Sequence, residues 1–246
     1  MDDASHPTHA HADAYAKTPI NRVKRVPDRG RYDKETIHAI LDAALVCHIA
    51  YVIDGRPYCT PTAFWREGDH LYWHGSSASR MLRTQAEGIP VCLTVTHLDA
   101  LVMARSGFHH SINYRSVMAF GTAHKVEDPD LKLRLMDNFI ERIYPGRSKL
   151  IRQPNKQEFK ATMMMGMEIE TASGKIRDKH VADEEEDYEA VPAWSALYPV
   201  VQTIGAPEDC ARQLPGLTRP DAMEDFVPGA RLDEVMAKTY RRRFGE

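Results

Sequence analysis

The stretch LYWHGSSASRML, residues 71–82, places three serines, a glycine, a histidine and an arginine within seven positions, residues 74–80. Tyr72 and Trp73 suit a strand, whereas Met81, Leu82 and Ala86 recur at helical spacing, so Ser76, Ser77 and Ser79 fall where a strand becomes a helix. Free backbone N–H groups at a helix N-terminus point outward at the positive end of the dipole. Serine hydroxyls add donors there, and the guanidinium of Arg80 can grip two phosphate oxygens. The chemistry on offer is anion binding, and the functional expectation is the phosphate of a bound nucleotide. An ordinary capped helix uses the same residues, and the local sequence leaves both readings open. The corner has neither the GxGxxG spacing nor the GK[ST] ending of a P-loop.

Other groups are weighed in the same way. Pro61 cannot donate to a sheet ladder, so Cys59-Thr60-Pro61-Thr62 belongs at an edge or bulge, either a plain one or one whose free backbone groups meet a ligand. The segment SGFHHSINYRS, residues 106–116, is dense in His, Asn, Tyr and Arg and reads as a ligand or subunit contact or as a polar surface loop. Adjacent His109 and His110 face opposite ways in an extended chain, which argues against a metal pair, and one of them is left to meet a ligand. His48, inside a strand pattern, reads as a hydrogen-bonded structural ring. Trp194, between prolines, either packs or stacks on a planar ligand. His6, His9 and His11 read as solvated tail residues, and no metal site is expected. No nucleophilic triad is identifiable, so any reaction is expected to come from a cofactor, with the protein supplying orientation and electrostatics.

The elements that must position these groups follow from composition and punctuation. The chain has 246 residues, 43% of them hydrophobic, and a formal net charge of −3. It can bury a full core and has no general attraction to nucleic acid or an acidic membrane, which points to a small-molecule partner. Cys47, Cys59, Cys92 and Cys210 contain no CxxC, and no apolar leader or long apolar run is present, so the expectation is a reduced, cytoplasmic protein with no membrane span. Residues 1–25 read as a flexible arm, 26–204 as the main domain, and 205–246 as an extension with a short helix. Within the main domain, a helix opens at Asp33, and strands over residues 44–53 and 56–65 meet at Asp54-Gly55, a pair suited to a tight hairpin turn. A third strand leads into the serine corner. Residues 90–97 and 100–105 read as β-rich runs around Leu98-Asp99, and residues 115–127 as another long strand. An amphipathic helix from Pro129, a second helix near residues 157–162, one long strand over 163–176 and a solvated acidic loop at 183–187 complete the pattern. Strands without βαβ alternation favour an antiparallel barrel, mainly β with flanking helices.

Taken in order, the Thr-Pro-Thr hairpin, HGSSASR, NYRSV, GKIRD and PAWSALYP resemble the pyridoxamine 5′-phosphate oxidase-like, FMN-binding split-barrel superfamily. The resemblance spans about residues 25–200 and is greatest to its flavin-nucleotide-binding branch, near the nitroimidazole-resistance proteins. It implies a six-stranded antiparallel split β-barrel that forms a homodimer, with flavin in clefts between subunits. By motif match, His74, Gly75, Ser76, Ser77, Ser79 and Arg80 would surround the flavin phosphate, and Thr60, Pro61 and Thr62 would line the isoalloxazine edge. Arg115 and Ser116 would meet flavin, and Trp194 would lie near the cleft. Lys175 and Arg177, with His109 and His110, would be substrate contacts, or Lys175 and Arg177 would hold the second phosphate of a longer flavin. Relatives often carry Lys where this chain has Met81, so phosphate affinity would rest on Arg80, Arg83 or a partner-chain cation. The implied cofactor is FMN, with FAD the alternative. The implied function is an FMN-dependent oxidoreductase acting on a small acceptor. The competing reading is a non-catalytic flavin or haem carrier or sensor, for which haem would need an axial His, Cys or Tyr.

Overall fold

Asp54 and Gly55 both adopt positive φ, 50° and 73°, and close the expected hairpin between β2 (Val46–Ile53) and β3 (Arg56–Glu67). The computed structural model describes residues 13–245. Before the hairpin come the short β1 (Gly30–Arg31) and α1 (Lys34–Asp42), whose N-cap Asp33 accepts the N–H of Thr36. After it come β4 (His70–Ser76), α2 (Arg80–Gln85), β5 (Ile89–Met103), β6 (Ser111–Lys125), α3 (Pro129–Ile143), α4 (Lys156–Ala161), β7 (Thr162–Glu168) and β8 (Thr171–Arg177). The described residues end with α5 (Glu185–Ala190), β9 (Ala196–Pro199) and α6 (Leu232–Phe244).

Six strands close a ring in the order β2, β3, β4, β7, β6, β5, every pairing antiparallel, while β8 and β9 attach outside it to β6 and β5. The ring is split because β3 changes partner partway along. Up to Ala63 it pairs with β2, and from Phe64 to Glu67 it pairs with β4. Pro57 and Pro61, which have no N–H to give, lie in the first part, as expected of an edge. The barrel interior is filled by alternate residues including Cys47, Ile49, Leu71, Trp73, Leu93, Val117, Ala119 and Met165. On the outside of β3, β4 and β7, Trp65 and Met164 pack with Leu135 of α3.

Three local readings are refined. Leu98-Asp99 is a β-bulge within the single long strand β5, because Asp99 is held by Arg115 across the ladder and the chain continues straight on. Residues 163–176 run in one direction, as expected, but divide into β7 and β8, both antiparallel to β6, with a break at Ile169 and Glu170 where the Ile169 N–H turns to the carbonyl of Asp69. The acidic run is partly helical, as α5, and Asp183 accepts the backbone N–H of Arg105 at 2.9 Å. Residues 13–25 are held on the barrel. Tyr15 is buried, and the Asn21 amide donates to the carbonyl of Ala172 at 2.9 Å. His6, His9 and His11 lie outside the described residues.

A buried charge cluster ties the helices to the ring. Arg66 donates to both oxygens of Asp42 at 2.9 and 2.8 Å, and its guanidinium lies 4.7 Å from the ring centre of Tyr240 on α6. Arg142 of α3 donates to the carbonyls of Asp42 and Met236, joining α1, α3 and α6. Burial pushes the pKa of Arg142 down to about 10, so it remains a cation in the interior. No helix among the described residues is long and apolar enough to cross a membrane.

Candidate functional site

Side chains alternate along β4, sending Leu71 and Trp73 into the barrel and Tyr72 and His74 to the outer face beneath α3. His74 lines a cavity beneath α3 whose walls do not include Ser76, Ser77, Ser79 or Arg80, so it does not surround a phosphate together with them. Its ring meets Phe139 edge-on with 4.7 Å between centroids, and the cavity is about 440 Å³. The other walls of this cavity include Met136, Ile140, Ile151, Pro154 and Met164, and its rim carries Asp137, Arg152, Gln153 and Glu158. The His74 Nδ1 is buried and has no hydrogen-bond partner among the described residues. Burial lowers the pKa of the ring, so His74 is held as a neutral imidazole, the form that lends a nitrogen lone pair to a metal. An orphaned neutral imidazole in an apolar chamber fits the axial ligand that haem requires. The residues opposite it come from α3 and the segment before α4, more than sixty positions away in sequence.

The serine corner forms at the end of the same strand. Ser79 caps α2 by accepting the N–H of Leu82 at 3.5 Å, and the Ser76 hydroxyl accepts the N–H of Ala78 at 3.2 Å. Both hydroxyls keep their own proton to donate. Gly75 is where α2 comes close to the strand, since a Cβ there would lie 3.0 Å from Leu82 Cδ1. The helix has only six residues and sums few peptide dipoles, so an anion would depend chiefly on the hydroxyls and on cations. Arg83 Nε is occupied by the carbonyl of Ser77 at 3.0 Å. Arg80 has no carboxylate within ion-pair distance among the described residues, and its guanidinium lies 4.6 Å from the ring centre of Tyr58. Tyr58 stacks on Tyr51 at 5.6 Å, and the Tyr51 hydroxyl is 3.1 Å from Thr60 Oγ1. The tertiary structure thus joins Arg80 to the Thr60–Thr62 edge through Tyr58 and Tyr51, which no local motif marks. Thr60 and Thr62 share the face of Tyr58, while strand alternation puts Pro61 on the other.

The remaining candidates lie apart from that corner. Arg115 is enclosed in ion pairs with Asp99 at 2.8 Å and Asp233 at 3.0 Å, and the paired Arg231 and Arg115 help hold the Asp233 carboxyl down at about 2. It anchors the start of α6 to the sheet. Ser116 donates to the carbonyl of Lys175 at 3.3 Å. Arg177 is buried and bonded to Asn113. His109 sits 3.4 Å from Glu184, and His110 Nδ1 is 2.8 Å from the carbonyl of Ser106. Trp194 is 70% exposed and touches Tyr198.

A closed ring of six antiparallel strands opened along β3, with helices on its flanks, is a split β-barrel. The family model for pyridoxamine 5′-phosphate oxidase matches residues 33–176, and the chain belongs to that family. Among solved structures, the flavocytochrome Anf3 from Azotobacter vinelandii is 39% identical, with 86% of this chain and 98% of that chain covered at a TM-score of 0.80. The FAD and heme binding protein from Mycobacterium smegmatis is 32% identical, with 83% and 98% covered at a TM-score of 0.77. Comparison with curated proteins gives no match.

Proposed function

We propose that this chain is a redox protein that holds a flavin at the Ser76–Arg80 corner and a haem through His74. The observation that carries the haem half is the half-buried, neutral imidazole of His74 on the wall of a largely apolar chamber, its Nδ1 without a hydrogen-bond partner among the described residues. The names of the two similar structures, a flavocytochrome and an FAD and heme binding protein, support both cofactors. The second name also favours FAD over the FMN implied by the resemblance. When bound, flavin supplies one- and two-electron exchange and haem supplies one-electron exchange. The chain's own contribution is placement. His74 offers a nitrogen to iron, Phe139, Met136 and Met164 keep water away from it, and Ser76, Ser79 and Arg80 hold phosphate. His74 and Ser76 lie two residues apart on β4, about 7 Å along a strand, so groups held at the two places are neighbours.

Beyond Ser77 the corner opens onto a groove carrying Lys125, Lys132 and Lys160, which would suit the second phosphate of FAD. The homodimer belongs, on this reading, to the outer face of β2, β5 and β6, where Val46, Val52, Leu101, Ile112 and Met118 are exposed. The haem assignment is tested by titrating the purified chain with hemin. Wild type should develop a sharp Soret band, and His74→Ala should lose it while keeping flavin absorbance. A Soret band of equal intensity in His74→Ala would overturn it.

A further inference from the structure

The mouth of the His74 cavity is crossed by one ion pair. Arg152 donates from both terminal nitrogens to the two oxygens of Glu158, at 2.7 and 2.5 Å, and both residues line the largely apolar chamber. Beside them Gln153 Nε2 reaches Asp137 Oδ1 at 3.5 Å, a weak second tie across the same opening. An exposed pair of this kind adds little to stability, so Glu158 gives up the guanidinium at small cost to a ligand carboxylate held against it at the edge of the cavity. Glu158 also has a second task, because it accepts the N–H of Asn155 at 2.9 Å and completes the capping box of α4. It would remain in place if Arg152 turned away.

Resting on the haem reading above, we infer that Arg152 is the receptor for a carboxylate of the ligand in the His74 cavity, and that Glu158 occupies it when the cavity is empty. The ligand class this describes is a flat apolar molecule carrying acid groups at one edge. Its body meets Met136, Phe139, Ile140 and Met164, and its charged edge meets Arg152 at the solvent boundary. Entry then exchanges one bidentate pair for another and leaves no buried charge unpaired.

The test is a pair of titrations of the full chain, with hemin and with hemin dimethyl ester, whose acid groups are blocked. Arg152→Gln should weaken hemin about three- to tenfold and leave the ester within about twofold. Glu158→Gln, which preserves the capping box, should strengthen hemin by removing the competitor. Unchanged hemin affinity in Arg152→Gln, with a Soret band that still depends on His74, would overturn this inference and leave the haem reading intact. Equal losses for hemin and the ester would also overturn it, since Arg152 would then shape the chamber. A wild-type chain with no His74-dependent Soret band removes the haem reading and this inference together.

Discussion

Replacing Arg80 by alanine removes the one cation at the serine corner that neither a carboxylate nor a backbone carbonyl engages among the described residues. A charge-assisted contact to phosphate contributes about 1.5–3 kcal/mol, so the affinity for FAD or FMN should fall roughly ten- to a hundredfold. The guanidinium also lies 4.6 Å from the ring centre of Tyr58, an exposed cation–π contact of about 0.5–1 kcal/mol. Losing it frees Tyr58 and lowers the stability of the apoprotein slightly, but it takes no donor from the phosphate. Riboflavin, which has no phosphate, separates the two effects. Its affinity should change by no more than about twofold in Arg80→Ala, and Arg80→Lys should recover part of the FAD loss because a single ammonium keeps charge without the planar fork. Fluorescence quenching with the three ligands, on protein whose folded fraction is checked by circular dichroism, gives the comparison. Equal losses for FAD and riboflavin would refute the phosphate role. Arg83 would need to leave the Ser77 carbonyl to replace it, and Arg115 is already committed to Asp99 and Asp233.

Asp42→Ala strands Arg66, whose side chain is 2% exposed, and should destabilise the fold by about 3–5 kcal/mol, lowering Tm by roughly 10 °C in a thermal melt. Asp42→Asn, which keeps one acceptor, should cost less; equal melting of wild type and the alanine variant would show that the cluster is dispensable. Leu101 pairs with Ile112 on one side and Tyr198 on the other, so Leu101→Glu puts a charge in the middle of the exposed apolar face. Light scattering should give twice the chain mass for wild type and the monomer mass for the variant, and a dimeric variant would move the contact elsewhere.

The parts legible in the sequence are those set by a few consecutive residues. Asp54-Gly55 specifies its hairpin because both positions need positive φ, and Asp33 specifies the start of α1 because its side chain reaches a backbone N–H three residues on. The serine corner is of the same kind, since cap, glycine and helix follow one another directly. Leu98-Asp99 interrupts the β-rich pattern of residues 90–105, yet one strand runs through it with a bulge. What holds the strand through it is Arg115, sixteen positions away, which no local pattern contains. Alternation puts His74 and Ser76 on the same outer face, and only the packing of α3 puts Phe139 and Met136 over His74 and gives it a chamber of its own. Arg115 looked available until α6 brought Asp233 to it from 118 positions further along. Dihedral preference and periodicity are short-range, so the chain itself determines turns, caps and faces. Which faces meet depends on closing the ring and docking the helices, and that alone turned a motif histidine into the floor of a chamber and a motif arginine into a clamp.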